Sequence, residues 1–139
     1  MQLTRALLAG VAAGVVGIFT SWFLTGFLFH PYQRLTPTTW RPAEGPRHYA
    51  LGSATTVLAA LVIALFFAIT GGVPAIAGPG WVANGLLFGV LCWASLAVPV
   101  LLSMSIFVNV HSAVITGLLL DWLVVSVLAA LASAWAILR

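Results

Sequence analysis

Asp121 lies inside the run LLLDWLVV and is the one acidic side chain in any long apolar stretch of the chain. A charged, unpaired carboxylate in hydrocarbon costs several kcal/mol, so such a residue turns inward and finds a partner or a pathway. Read as a helix from the preceding polar break, it is about nine residues, or roughly 14 Å, deep. At a similar depth the other apolar stretches offer Thr20, Ser21 and Trp22, then Thr55 and Thr56, then Ser103 and Pro99. Pro99 has no amide hydrogen and leaves the carbonyl of Ser95 open. A carboxylate beside hydroxyls and freed backbone is how a transporter builds a proton or cation site, and the same groups equally suit an Asp that ties helices together. The expected ion, proton or solute site is therefore Asp121 with Thr55, Thr56, Ser21 and Ser103.

His30, His48 and His111 form a second constellation, because all three fall at ends of apolar runs that share one membrane face. Three imidazoles could hold zinc or copper, and one near a helix end could ligate a haem. No HxH or HExxH spacing supports this, and boundary histidines ordinarily bond headgroups or loop backbone. No metal or cofactor is expected, with the three histidines as the weaker alternative. The chain has no nucleophile with an adjacent base, no phosphate-cradling glycine loop and no paired carboxylates, so it does not read as an enzyme.

The elements that hold these residues follow from composition. With 63% hydrophobic and 5% charged residues over 139 positions and a mean hydropathy of +1.18, the chain cannot cover itself with a soluble surface and is an integral membrane protein. Its formal charge of +3 comes from arginines spread along the chain, which is a topology signal and no nucleic-acid footprint. Cys92 is the single cysteine, so no disulfide forms within the chain.

Four stretches are long enough to cross a bilayer, which takes about 20 apolar residues per helix: approximately 5–29, 49–70, 82–108 and 112–138. The fold class is all-α, a single domain over residues 1–139 built as a bundle of four transmembrane helices. MQLTR before an apolar core resembles a signal peptide, but the run continues through Gly17 and Trp22 to Phe29 and reads as a retained first helix. Pro31, Pro37, Pro42 and Pro46 with Arg34, Arg41 and Arg47 make residues 30–48 an extramembrane loop, where Glu44 would pair with its flanking arginines. Gly71, Gly72, Pro74, Gly78, Pro79 and Gly80 make the second break a turn with Trp81 as anchor.

Only Asn109, His111 and Ser112 interrupt the last apolar stretch. A single helix there would be about 85 Å long, so the chain turns and Ser112 is the expected N-cap. Arg34, Arg41 and Arg47 outnumber Arg5 and Arg139, which favours a cytoplasmic first loop in a bacterial inner membrane. Gly10, Gly14, Gly17 and Ser21 form one small-residue stripe suited to close helix contact, within the chain or with a second copy. Tyr32, Trp40 and Trp81 read as interfacial anchors, and Trp22, Trp93 and Trp122 as deeper packing residues.

The chain resembles the family of small bacterial four-helix membrane proteins known as domain of unknown function 1761. The likeness rests on the glycine-rich first helix running into Phe29, His30, Pro31 and Tyr32 through Trp40. It continues in a second segment opening with Tyr49 and Gly52, and in the closing stretch from Phe107 to Leu138. The resemblance implies a four-span bacterial membrane protein and carries no active site. Two functions are expected from these residues. One is an ion- or proton-coupled channel or transporter using Asp121. The other is an accessory subunit binding protein, lipid or pigment, with membrane lipids and a second copy or larger complex as partners.

Overall fold

Helix α1 (Gln2–Ser21) passes without a break into a π-helical stretch, Trp22–Leu28. Together they form the first span, Gln2–Leu28, of a computed structural model that describes residues 2–39 and 45–139. The first loop then holds a single-turn helix α2 (His30–Gln33) and a 3-10 turn at Pro37–Thr39. Helix α3 (Pro46–Thr70) is the second span. It starts three residues before the expected position because Pro46, with φ pre-set for a helix and no amide to satisfy, is favoured in the first turn. Trp40, Arg41 and Glu44, and with them the expected anchor and ion pair, lie outside the described residues.

Asn84 organises the second loop. Gly71 ends α3 in the left-handed region at φ 69°, and Gly72 follows at φ 78°, a conformation that favours glycine. The Asn84 side chain, 1% exposed, accepts a bond from the Val73 amide at 2.6 Å and donates to the Gly71 carbonyl at 3.2 Å. A short helix α4 (Pro74–Ala77) leads to α5 (Trp81–Cys92).

The third span continues from α5 through a second π-helical turn, Trp93–Ala97, into α6 (Val98–Phe107). The Val98 amide bonds the carbonyl of Trp93, five residues back. This widened turn falls immediately before Pro99, where an α-helical ladder would collide with the proline ring. Helix α7 (Ser112–Leu138) is the fourth span. Its N-cap is His111 in place of the expected Ser112: the ring Nδ1 accepts the Ala113 amide at 3.2 Å.

All regular structure among the described residues is helical, and four helices are long and apolar enough to cross a membrane. The fourth span is the most enclosed and packs on each of the others, whereas the first and third share no substantial contact. Two glycine seams allow this. On α1, a Cβ added at Gly14 would lie 2.8 Å from the Val57 Cα, and additions at Gly10 and Gly17 would press on Ala64 and Thr56. The expected stripe is thus used inside the chain, against α3. On α5, a Cβ at Gly89 would lie 2.7 Å from the Val127 Cα of α7, and one at Gly85 3.0 Å from the Leu131 Cα. Between the seams, Phe67 meets Phe88 edge-on at 5.1 Å over Ala60, Ala129, Ala130 and Ala134.

Candidate functional site

Asp121 points into the bundle and is 7% exposed. It stands ten residues into α7, opposite the last residue of α1, where the Ser21 hydroxyl donates to its Oδ1 at 2.8 Å. Only Oδ1 receives that bond, and among the described residues no wholly enclosed side-chain oxygen or nitrogen lacks a partner. Oδ2 is therefore short of full enclosure. Gly17 lies one turn from Ser21 and admits Thr56 of α3 and Val125 of α7 against the backbone of α1, so three spans converge next to the carboxylate.

Above this junction the first and second spans part into a groove of about 590 Å³. Ser21 and Thr56 line its inner end with Thr25, whereas His30, His48 and Tyr49 stand toward its mouth at the first-loop face. The π-helical stretch turns Thr25, Gly26 and Trp22 to the same groove. Glycine at positions 26 and 52 leaves its walls thin, since an added Cβ at Gly52 would meet nothing within 4 Å.

The remaining expected site residues fall elsewhere. Thr55 is exposed and lines a second groove of about 440 Å³ on the other side of α3, among Leu58, Val62, Leu96 and Val100. One step along a helix turns a side chain by about 100°, enough to separate it from Thr56. Ser103 is exposed on α6, four residues from the end of its span, and so lies too near the interface to join Asp121. The third span instead brings Trp93, whose indole Nε1 donates to the Leu119 carbonyl at 2.9 Å, two residues before Asp121. Trp22 is 67% exposed and does not pack inward as expected.

All three histidines sit at the first-loop face, yet among the described residues no group of three His, Cys, Asp or Glu side chains could hold a metal. Two of the rings are committed to backbone. His48 Nδ1 accepts the Gly45 amide at 3.3 Å, and His111 Nδ1 accepts that of Ala113. An amide can only donate, so the Nδ1 lone pairs of both rings are engaged and are not free for a metal. His111 also stacks on Tyr32 at 5.4 Å. His48 and His111 thus organise the backbone at the starts of α3 and α7.

Of the expected site residues the structure brings together Asp121, Ser21 and Thr56, and it adds Asn84 and the Gly85–Gly89 seam, which the sequence reading did not single out. The latter was visible as G-x-x-x-G in the run GLLFG. Asn84 was visible as an amide inside a span, where a polar group needs partners. No protein-family model matches the chain, and no curated protein or solved structure is significantly similar to it.

Proposed function

We propose that this membrane protein is a small transporter or channel for a proton or another cation, with Asp121 as the exchanging carboxylate and the groove between the first two spans as its entrance. One observation carries the reading: the Ser21 hydroxyl lines the groove and at the same time donates to Asp121. The groove's lining runs from Ile18 and Thr56 to His30 and His48 at the first-loop face and includes no residue of the last two spans, so a second copy of the chain would complete a path. Within this reading the membrane is a bacterial inner membrane with the first loop cytoplasmic, the protein is no enzyme, and its kinship is with domain of unknown function 1761.

Purified protein in liposomes tests it. Wild type is expected to dissipate a proton, sodium or potassium gradient, and Asp121→Asn to abolish that flux while keeping its circular dichroism and elution profile. Wild-type flux equal to that of protein-free liposomes under all three gradients overturns the proposal.

A second reading is supported by the exposed aromatic face of the first span. Phe19, Trp22, Phe23 and Phe27 all face outward, with Phe23 and Phe27 stacked at 5.9 Å. On this reading the chain is an accessory subunit that docks another membrane protein, a lipid or a pigment there, since the glycine stripe is already occupied by α3. Mild detergent extraction would then yield a larger complex that Phe23→Ala with Phe27→Ala disperses, and a homogeneous isolated particle counts against it.

A further inference from the structure

The groove between the first two spans has its hydrogen-bonding groups sorted by depth. A hydroxyl has one proton to give and two lone pairs. At the inner end every proton is already committed: Ser21 Oγ gives to Asp121 Oδ1 at 2.8 Å, Thr25 Oγ1 to the Ser21 carbonyl at 2.6 Å, and Thr56 Oγ1 to the Gly52 carbonyl at 3.2 Å. What these three oxygens still present to the groove is lone pairs, with a carboxylate directly behind Ser21. No charged side chain is among the described lining residues. At this inner end an anion would meet acceptors only, because Ser53, His30 and His48, which can donate, line the part of the groove nearer the first loop.

The walls narrow the choice among cations. Ile18, Gly26 and Gly52 present little but hydrocarbon and backbone, and the Trp22 indole offers an aromatic face that attracts positive charge. A volume of about 590 Å³ is far more than one inorganic ion needs and is within the range of organic-ligand sites. Three acceptors lining one groove match a donor with three N–H bonds. A quaternary ammonium has none, and leaves the acceptors unpaired.

We propose that the groove binds a protonated primary amine, R–NH3+, with its three N–H groups on the oxygens of Ser21, Thr25 and Thr56 and its apolar substituent running along Trp22 toward the mouth. The proposal names the substrate class of the site described above and rests on the reading of Asp121 as a cation site. The carboxylate behind Ser21 supplies the countercharge, and the bound ammonium replaces its water shell with three fixed oxygens.

Benzylammonium is the probe, titrated by calorimetry into the purified protein in detergent at neutral pH. One molecule is expected to bind per chain. Benzyltrimethylammonium, with the same ring and charge but no N–H, and benzoate are expected to bind at least tenfold more weakly. Thr56→Val is expected to weaken benzylammonium about tenfold, the loss of one charge-assisted bond, whereas Thr55→Val, on the opposite side of the same helix, leaves it unchanged. Ser21→Ala checks the result independently should Thr56→Val disturb the helix contact, with circular dichroism and elution profile as the folding control.

No benzylammonium binding, equal binding of the trimethyl analogue, or indifference to both Thr56→Val and Ser21→Ala overturns the inference. The two proposals fail separately. Gradient dissipation without amine binding removes this one and leaves the cation pathway, and amine binding without any flux removes transport and leaves an amine receptor.

Discussion

Ser21 and Asp121 meet across the first and fourth spans through a 2.8 Å hydrogen bond, although one hundred residues separate them in sequence. It is the single side-chain to side-chain hydrogen bond described between two spans, and it joins the first and fourth spans at one defined height. Its strength is measurable by a double-mutant cycle of Ser21→Ala and Asp121→Asn in reversible detergent unfolding. The expected coupling is about 0.6 kcal/mol and at most about 1.7 kcal/mol, the range of hydrogen bonds between membrane helices. A coupling of zero would mean that the two side chains do not hold each other.

The glycine seams give a sharper contrast. Gly14→Leu and Gly89→Leu each force a side chain against backbone, at Val57 and Val127 respectively, where no flexible tip can move aside. Each is expected to destabilise the bundle by about 1–3 kcal/mol, as overpacking does. Gly52 is also helical, but an added Cβ there meets open space. Gly52→Ala is therefore expected to leave stability unchanged or raise it by up to about 1 kcal/mol through the better helix propensity of alanine. Thermal denaturation of the three variants in one detergent separates the cases.

These contrasts also show how far the sequence could be read. Four spans follow from run length and charge, and the height of Asp121 and Ser21 follows from counting residues from a common face, because the helical rise is fixed. Rotation about each helix does not follow. Lipid is as apolar as the bundle interior, so no amphipathic stripe distinguishes Thr55, which faces out, from Thr56, which faces in. Ser103 fails for a related reason. Its span passes through the π turn before Pro99 and packs on the bundle at that end chiefly through α7, which apolar residues in a row do not reveal. Polar residues with a covalently fixed neighbourhood, such as Asn84 beside the Gly71–Gly72 turn, were legible in principle because their partners lie close in sequence.

His111 carries two structural roles, the N-cap of α7 and the face on which Tyr32 stacks. Substitution by alanine removes both and is expected to cost about 1–2 kcal/mol. His111→Asn restores the cap acceptor without the ring and is expected to recover about half of that. Hydrogen exchange should show faster opening of the amides of Ala113 and Val114 in the alanine variant alone. If both variants behave like wild type, the cap contributes nothing and the histidine is free for another task.

The two grooves flanking α3 differ in lining, and that difference fixes which side of the helix water can enter. The groove between the first and second spans is walled by hydroxyls, imidazoles and Tyr49, whereas the one between the second and third is almost wholly aliphatic and contains the native thiol of Cys92. Water enters a cavity only where polar groups can hold it. In a Cys92→Ser background, Ser53→Cys is therefore expected to react rapidly with a charged, membrane-impermeant thiol reagent applied from the first-loop side, and Leu58→Cys at least tenfold more slowly. Reaction of Ser53→Cys from the opposite side only would place the entrance on the wrong face, and equal rates for both positions would mean that the second groove is wet. Pretreatment of Ser53→Cys with the reagent should also block cation flux, since the added group fills the passage above Ser21 without touching the Asp121 carboxylate.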